Sequence, residues 1–335
     1  MANRCLMIAE VAQAHDGSLG MAHAYIDAAK SAGADMVKFQ MHFAADESTP
    51  HEPWRIKFSK QDSSRYEYWQ RMEFNESQWF EIKAHCDEIG IDFLCSPFSL
   101  RAVELLKRIG MPAWKVASGE ISGEQMFDAM SESGWPMFVS TGMAGWKEIN
   151  DVVERVKERG APLTLFQCTS AYPTPLQQVG LNVLQQFRDE FACGVGLSDH
   201  SDQIFPGLAA VAMGIDAFEA HITWHRSAFG PDNSASLTIE EFALLTNGVR
   251  AIETMQANPV DKDQMASQLQ PIKEMFGKSI VVRRSIRKGE LIQASHLALK
   301  KPGNGIPESR LREVVGRPAK RDLALDELIM ERDVA

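Results

Sequence analysis

The hydrophobic and polar positions of the chain alternate between short apolar runs and longer segments with a helical repeat. Eight apolar runs rich in β-branched or aromatic residues are each predicted to form a strand: CLMIAEVA, DMVKFQM, DFLCSP, AWKVAS, PMFVST, LTLFQCT, GVGLSD and AFEAHIT. Amphipathic segments between them are predicted helices, and several end on the glycine that commonly follows a helix: MAHAYIDAAKSAG, ESQWFEIKAHCDEIG, SLRAVELLKRIG and KEINDVVERVKERG.

The order of these segments predicts the fold class. Near-continuous apolar strands are typical of a parallel sheet buried on both faces. Eight strand–helix units therefore predict an α/β protein with a (β/α)8 TIM barrel, which we assign to residues 1–256. A doubly wound open sheet is the alternative, and it is less favoured because no GxGxxG sequence follows the first strand.

Two regions depart from this alternation. Residues 42–72, after the second strand, are too many and too aromatic for a plain connection, so we expect a binding loop over one mouth of the barrel. Residues 257–275 are polar and are assigned as a linker. Residues 276–335 combine short strands, turn-like pieces and frequent basic residues, which predicts a small second domain of marginal independent stability.

Composition places the chain among ordinary globular proteins, with 44% apolar and 24% charged residues. A net charge of −10 disfavours nucleic-acid binding as the main function. Glu10 interrupts the N-terminal apolar run, so a secretory signal is not predicted, and no run approaches the roughly 20 apolar residues of a membrane span. Five widely spaced cysteines are typical of reduced thiols. We therefore expect a cytoplasmic protein that binds neither nucleic acid nor membrane.

Polar residues collect where the predicted strands end. In a TIM barrel the carboxyl ends of the strands form the active-site face. These ends carry more polar and charged residues than a purely structural barrel needs. They are Glu10, Lys38, Gln40, Ser96, Lys115, Ser118, Ser140, Thr141, Thr169, Ser170, Ser198, Asp199, His200 and His221. Asp232, in the GPDNSAS turn after the eighth strand, either reaches this site or belongs to a flexible loop.

His200 and His221 follow neighbouring predicted strands. Adjacent strands lie about 4.8 Å apart, so both imidazoles could converge on one metal ion. Two ligands leave positions open, as a catalytic metal requires. The alternative is two unrelated histidines, one capping a helix and one hydrogen-bonded in the core. We expect Asp199 to orient His200 and Ser201 to cap a helix.

Lys38 and Lys115 each interrupt an apolar strand. A buried unpaired ammonium group is costly, so both lysines should face an anion. With the serines at the strand ends they could hold a phosphate or carboxylate ligand, since hydroxyls donate hydrogen bonds and lysines supply charge. Salt bridges with Glu10 or Glu120 are the alternative.

The chain resembles the N-acetylneuraminate (sialic acid) synthase family of nonulosonic acid synthases. Eight motifs are similar to those of the family and occur in its order: IAEVAQAHDGS, GADMVKFQ, WKVASGEI, STGMA, QCTSAYPTP, GLSDHS, EAHITWHR and GPDNSASL. IRKGELI and KKPGNGIP resemble the family's C-terminal antifreeze-like SAF domain. The resemblance covers essentially the whole chain and implies a TIM barrel followed by a small SAF domain.

The resemblance also implies roles for individual residues. His200 and His221 would bind a divalent cation, Mn²⁺ or Mg²⁺. Glu10 would align the reacting groups, and Gln40 and Tyr172 would face the sugar. Phosphoenolpyruvate would be held by a set of lysines and serines: Lys38, Ser96, Lys115, Ser118, Ser140, Ser170 and Ser198.

The implied reaction is a metal-dependent transfer. Phosphoenolpyruvate would condense with an open-chain aldose of the N-acetylmannosamine type, an N-acyl hexosamine, to give a sialic, legionaminic or pseudaminic acid and phosphate. The family forms domain-swapped homodimers in which a basic residue, here Lys301 where arginine is common, lies near the acyl group of the sugar. A synthase that uses a shorter aldose and a non-catalytic carbohydrate-binding protein are the alternatives.

Overall fold

The computed structural model of the protein describes residues 4–334, which divide into two compact units between Ala257 and Asn258. The first unit contains eight parallel strands: β1 (Leu6–Glu10), β2 (Met36–Met41), β3 (Asp92–Pro97), β4 (Trp114–Val116), β5 (Met137–Ser140), β6 (Leu163–Cys168), β7 (Gly194–Asp199) and β8 (Ala217–Thr223). Ten helices follow them: α1 (Leu19–Ser31), α2 (Ala44–Glu47), α3 (Arg65–Met72), α4 (Glu76–Ile89), α5 (Leu100–Ile109), α6 (Glu124–Ser131), α7 (Trp146–Arg159), α8 (Leu181–Glu190), α9 (Phe205–Ala212) and α10 (Ile239–Ala257).

The eight strands form the predicted (β/α)8 barrel. β1 pairs in parallel with both β2 and β8, so the first and last strands are neighbours. The hydrogen-bonded order runs β3, β2, β1, β8, β7, β6, β5 and β4, and β3 lies beside β4 where the circle closes. A further short strand, β9 (Leu237–Thr238), pairs in parallel with the end of β8 and precedes α10. The predicted fold class is confirmed, and every predicted strand is present.

The helices begin and end where local chemistry predicts. Asn75 caps α4 in a capping box with Gln78, and Gly90 ends the helix in a left-handed conformation with φ of 70°. Gly160 ends α7 in the same way, with φ of 71°. The apolar faces of these helices pack on the outer faces of the strands and form the main hydrophobic core. Each helix within residues 4–334 is too short or too polar to span a lipid bilayer.

The insertion between β2 and α4 is an aromatic layer rather than a plain connection. It contains the two short helices α2 and α3. Tyr68, Trp69 and Met72 of α3 are buried against Trp54 and Phe58 of the preceding loop. The layer contributes much of the wall of the cavity described below, which confirms its prediction as a loop over the barrel mouth.

The second unit has its own small core. It contains α11 (Lys262–Gln268), α12 (Gln270–Phe276), the antiparallel pair β10 (Ser279–Val282) and β11 (Leu297–Lys300), and α13 (Leu311–Val314). Ile280, Val282, Ile292 and Ile329 are fully buried within it. Most of the polar segment assigned as a linker lies in the exposed helices α11 and α12. These helices carry an apolar stripe at helical spacing, Met265, Leu269, Ile272 and Phe276, whose members are 36–62% exposed.

His15 gives the barrel an acid-sensitive element. It is 1% exposed, packs on Phe74, and its Nδ1 accepts a hydrogen bond of 3.1 Å from the backbone N–H of Gly17. Burial, reinforced by the charge of His42, lowers the pKa of His15 from 6.5 to about 3. The folded state therefore keeps His15 neutral at pH values where the unfolded state has bound a proton.

Between pH 6.5 and about 3, His15 should therefore lower the free energy of unfolding by up to about 1.4 kcal/mol per pH unit as the pH falls. A His15→Asn variant keeps an acceptor for Gly17 but cannot titrate, so its stability should fall less steeply with acid. Denaturant unfolding at a series of pH values measures the two slopes, with exposed His51→Asn as the control. Parallel slopes for the wild type and His15→Asn would contradict this assignment.

Candidate active site

The barrel interior changes from apolar to polar along seven of its eight strands. Its lower layer is formed by Ile8, Met36, Leu94, Ala113, Phe138, Phe166 and Ala217. Because side chains two positions apart on a strand point to the same side, the next inward layer is two residues further on. That layer is polar and lies towards the carboxyl ends of the strands: Glu10, Lys38, Ser96, Lys115, Ser140, Cys168 and Glu219.

Four charged side chains form a buried network in this layer. Lys38 Nζ donates to Glu10 Oε2 and lies 3.4 Å from Glu219 Oε1. Lys115 Nζ lies 3.1 Å from the same Glu219 oxygen and 2.7 Å from Ser140 Oγ. Two ammonium groups thus meet two carboxylates, and each of these side chains is at most 6% exposed.

Burial and neighbouring charges shift the pKa values of this network in opposite directions. Burial alone would lower the pKa of Lys38, but Glu10 and Glu219 raise it above its ordinary value. Burial lowers the pKa of Lys115, and Glu219 offsets this only in part. Burial would raise the pKa of Glu219, but Lys115 and Lys38 bring it below its ordinary value. The network therefore holds Glu219 ionised between the two lysines.

Glu219 was not among the residues singled out from the sequence. The sequence did contain an indication of Glu219. It is the one acidic residue within the apolar run AFEAHIT, and it lies two positions before His221, on the same side of β8. The expected alternative for Lys38, a salt bridge with Glu10, is observed. Lys115 pairs with Glu219 instead of Glu10 or Glu120, because Glu120 lies in the wall of the neighbouring cavity.

The predicted serines approach the network from several strands. Ser198 Oγ donates to Glu219 Oε1 at 3.0 Å. Ser96 Oγ is buried and has no hydrogen-bond partner among the described residues. A buried hydroxyl without a partner is costly and is typical of a ligand site.

Gly142 marks a second point where serines converge. Its backbone N–H donates to Ser118 Oγ at 3.0 Å. A Cβ atom at this glycine would lie only 2.6 Å from Ser170 Oγ and 2.9 Å from both Cys168 Sγ and Ser118 Oγ. Only glycine therefore leaves room for the two hydroxyls and the thiol to gather around a backbone N–H.

The two predicted metal ligands face each other. The imidazole centroids of His200 and His221 lie 5.3 Å apart. His200 Nδ1 lies 3.2 Å from the carbonyl oxygen of Thr169, which favours the tautomer with a proton on Nδ1 and a lone pair on Nε2. Burial, with the nearby His221, lowers the pKa of His200 to about 3 and keeps the ring neutral. A neutral imidazole with its second nitrogen held by a carbonyl is suited to bind a divalent cation.

Asp232 and Arg55 complete this side of the site. Arg55 Nη2 lies 2.6 Å from Asp232 Oδ1. Burial would raise the pKa of Asp232, but His221 and Arg55 bring it below its ordinary value. Nowhere in residues 4–334 do three or more His, Cys, Asp or Glu side chains gather closely enough to hold a metal. Cation binding by the pair His200 and His221 therefore stays a prediction.

Asp199 does not orient His200, contrary to the prediction. Its Oδ2 accepts hydrogen bonds from the backbone N–H of Ser201 at 3.2 Å and from Ser201 Oγ at 2.7 Å. Ser201 likewise does not cap the next helix, because α9 begins after Ile204. Short polar side chains satisfy backbone groups two residues away more readily than distant partners, and here they stabilise the turn after β7.

An open cavity of about 530 Å³ lies next to this polar layer. Tyr172 and Gln40, the predicted sugar-facing residues, both line it. The Tyr172 ring lies 4.2 Å from the His200 ring, and the Arg55 guanidinium lies 4.3 Å above the Tyr172 ring. Gln40 Nε2 donates to Glu10 Oε1 at 2.9 Å, which connects the cavity wall to the charged network.

Lys301, the remaining predicted site residue, belongs to the second unit. It is exposed, and its Nζ lies 5.0 Å from the centre of the Phe276 ring. Its contact with a sugar stays a prediction.

Comparison with known proteins identifies similar chains along nearly the whole length. The N,N'-diacetyllegionaminic acid synthase of Campylobacter jejuni is 33% identical, over 98% of this chain and 99% of that protein. The human N-acetylneuraminate-9-phosphate synthase is 32% identical, over 98% of this chain and 92% of that protein. The crystal structure of an N-acetylneuraminic acid (sialic acid) synthetase from Leptospira borgpetersenii, in complex with citrate, superposes with a TM-score of 0.70 at 27% identity, over 81% and 92% of the two chains.

Family models agree with these relatives. Residues 277–335 match the SAF domain, which confirms the predicted type of the second unit. Residues 25–261 match the NeuB family, and these include all eight barrel strands except β1. The chain therefore belongs to the NeuB family.

Proposed function

We propose that this protein condenses phosphoenolpyruvate with an open-chain N-acyl hexosamine of the N-acetylmannosamine type and releases a nonulosonic acid and phosphate. Relatives named as synthases of N,N'-diacetyllegionaminic acid and N-acetylneuraminate 9-phosphate support the reaction class. The observation that carries the proposal is the buried layer in which two lysines, unpaired or convergent hydroxyls and two adjacent histidines adjoin an open cavity.

The lysines and serines are assigned to phosphoenolpyruvate. Lys38 and Lys115 both contact Glu219 Oε1, so an anion bound beside this carboxylate would share two ammonium groups that Glu10 and Glu219 already pair. Ser96 has a free hydroxyl in the same layer, and Ser140 already contacts Lys115. The remaining serines of this group are Ser118, Ser170 and Ser198. Charge-assisted hydrogen bonds of this kind are about twice as strong as neutral ones.

The acceptor aldehyde is assigned to the cavity side. Carbon C3 of phosphoenolpyruvate bonds to the aldehyde carbon, the aldehyde oxygen gains a proton, water adds at C2, and phosphate leaves to give a 2-keto acid. Glu10, held by Lys38 and Gln40, lies where the donor and acceptor sites meet and aligns the reacting groups. This chemistry needs no Schiff base, so the lysines serve as charge partners.

His200 and His221 are the residues that would hold a divalent cation, Mn²⁺ or Mg²⁺. Such an ion, when bound, supplies a Lewis acid that polarises a carbonyl oxygen. The contact between His200 and Thr169 fixes the ring orientation before any ion arrives. Asp232 lies on the same side, with its carboxylate held by Arg55.

The quaternary structure and the cellular location are part of the same proposal. From the family resemblance we propose a cytoplasmic, domain-swapped homodimer, whose mass in solution would be twice the 37.3 kDa of one chain. In that arrangement Lys301 of one subunit would reach the acyl group of the sugar bound by the other.

Phosphate release from phosphoenolpyruvate is expected only when an N-acyl hexosamine and a divalent cation are both present. Purified protein is assayed with Mn²⁺, with and without a chelator, against N-acyl hexosamines and against shorter aldose phosphates. Release with the shorter aldoses alone would favour the alternative synthase. If no aldose triggers release, the synthase proposal fails and a carbohydrate-binding role is favoured.

A further inference from the structure

The cavity that we assign to the acceptor has an acidic lining. Seven charged residues line it: Asp46, Glu47, Glu52, Glu120, Asp232, Arg55 and Arg65. Both arginines are already paired, Arg55 with Asp232 at 2.6 Å and Arg65 with Glu52 at 3.2 Å. The lining residues within the described part of the chain therefore offer an incoming anion no uncommitted guanidinium or ammonium group.

Glu47 is held rigidly in this wall with one oxygen unsatisfied. Its Oε1 lies 2.7 Å from His42 Nδ1, and His42 is stacked between Trp69 and Phe98 with ring centroids 4.2 and 4.3 Å away. Glu47 Oε2 is buried and has no hydrogen-bond partner among the described residues. The side chain of Glu47 is only 9% exposed, so this free acceptor is fixed in place.

Gln13 provides a second unsatisfied acceptor in the same wall. It is 2% exposed, and its Nε2 donates to Gln40 Oε1 at 3.3 Å. Its own Oε1 is buried and also lacks a partner in residues 4–334. Two buried acceptor oxygens without donors call for a ligand that brings hydroxyl or N–H groups.

Glu120 makes the same region unfavourable for further negative charge. Burial, and then the charge of Glu47, raise the pKa of the Glu120 carboxyl group. A phosphoryl group carries between one and two negative charges at neutral pH and offers mainly acceptor oxygens. Like charges brought together in a binding site cost several kcal/mol.

From these contacts, and resting on the proposed function, we infer that the acceptor is an unphosphorylated N-acyl hexosamine. Its hydroxyl and N–H groups bind Glu47 and Gln13. The carboxyl groups of Glu47 and Glu120 exclude hexosamine 6-phosphates. Family membership leaves this choice open, because the human relative is named for a 9-phosphate product and the C. jejuni relative is not. Phosphoenolpyruvate contributes three carbons, so a phosphate at C9 would derive from C6 of the hexosamine.

Binding of two unreactive acceptor analogues tests the inference separately from catalysis. N-acetylmannosaminitol and its 6-phosphate lack the aldehyde, so isothermal titration calorimetry with the full-length protein and phosphoenolpyruvate reports binding alone. We expect the neutral alditol to bind at least about tenfold more tightly than its 6-phosphate. The double variant Glu47→Gln and Glu120→Gln should reduce that ratio by about tenfold or more, since both changes keep side-chain size and remove charge.

A matched control is Glu104→Gln, which removes one exposed carboxylate from the barrel surface outside the cavity and should leave the ratio unchanged. Equal or tighter binding of the 6-phosphate to the wild type would overturn the inference. So would an unchanged ratio in the double variant, or the absence of binding by either alditol. The expected binding ratio without phosphate release from any N-acyl hexosamine would instead reject the proposed reaction and leave the cavity's selectivity standing.

Discussion

Replacement of Glu219 by alanine is expected to lower the free energy of unfolding by about 3–5 kcal/mol, the range observed when one partner of a buried ion pair is removed. Glu219 Oε1 contacts Lys38, Lys115 and Ser198, and the side chain is 6% exposed. Without it, two buried ammonium groups share Glu10 alone. Because these lysines are also assigned to phosphoenolpyruvate, catalytic turnover should be lost as well.

Anion rescue separates this explanation from simple loss of packing. Inorganic phosphate or phosphoenolpyruvate would replace the missing negative charge, so each should raise the melting temperature of Glu219→Ala more than that of the wild type. Glu219→Gln, which preserves side-chain volume, should show the same enhanced rescue. The exposed carboxylate of Glu104 provides the control substitution. Equal stabilisation of Glu219→Ala and the wild type by phosphate would contradict a shared anion site at the two lysines.

The fold was predictable because one physical pattern repeats around the barrel. A strand buried on both faces needs an apolar run, and its helix needs an apolar stripe and a stop signal such as Gly90 or Gly160. The charged layer was predictable for the related reason that a lysine or histidine within such a run is costly unless it has a partner. Lys38 and Lys115 were found in this way, whereas Glu219 obeys the same rule and was overlooked.

Other parts of the site depend on contacts that the sequence does not encode locally. Arg55 lies in the insertion, where no repeat indicates its direction, and its partner Asp232 is 177 positions away. His42 is positioned by stacking against Trp69 and Phe98, which come from different segments. For Asp199 the prediction was wrong for the opposite reason. We expected its carboxylate to orient the ring of His200, but it accepts a local hydrogen bond from Ser201 instead.

Replacement of His200 by alanine is expected to abolish measurable phosphate release while leaving the fold intact. The ring is buried beside Tyr172 and His221, and its Nδ1 lies near two uncharged groups, the Thr169 carbonyl and the Cys168 thiol. Its removal therefore breaks no buried ion pair and should cost far less stability than the loss of Glu219. The loss in kcat should be on the order of 10²–10³ or more, as for removal of a group that stabilises transition-state charge.

Direct metal binding shows whether this loss has the proposed cause. Titration of Mn²⁺, followed by the paramagnetic resonance of the free ion, should show one bound ion in the wild type and much weaker binding in His200→Ala. His225→Ala, which removes an exposed histidine four positions after His221, should keep both metal binding and turnover. If His200→Ala binds Mn²⁺ as tightly as the wild type, His200 is not a ligand, and the paired imidazoles must act on the substrate through hydrogen bonds instead.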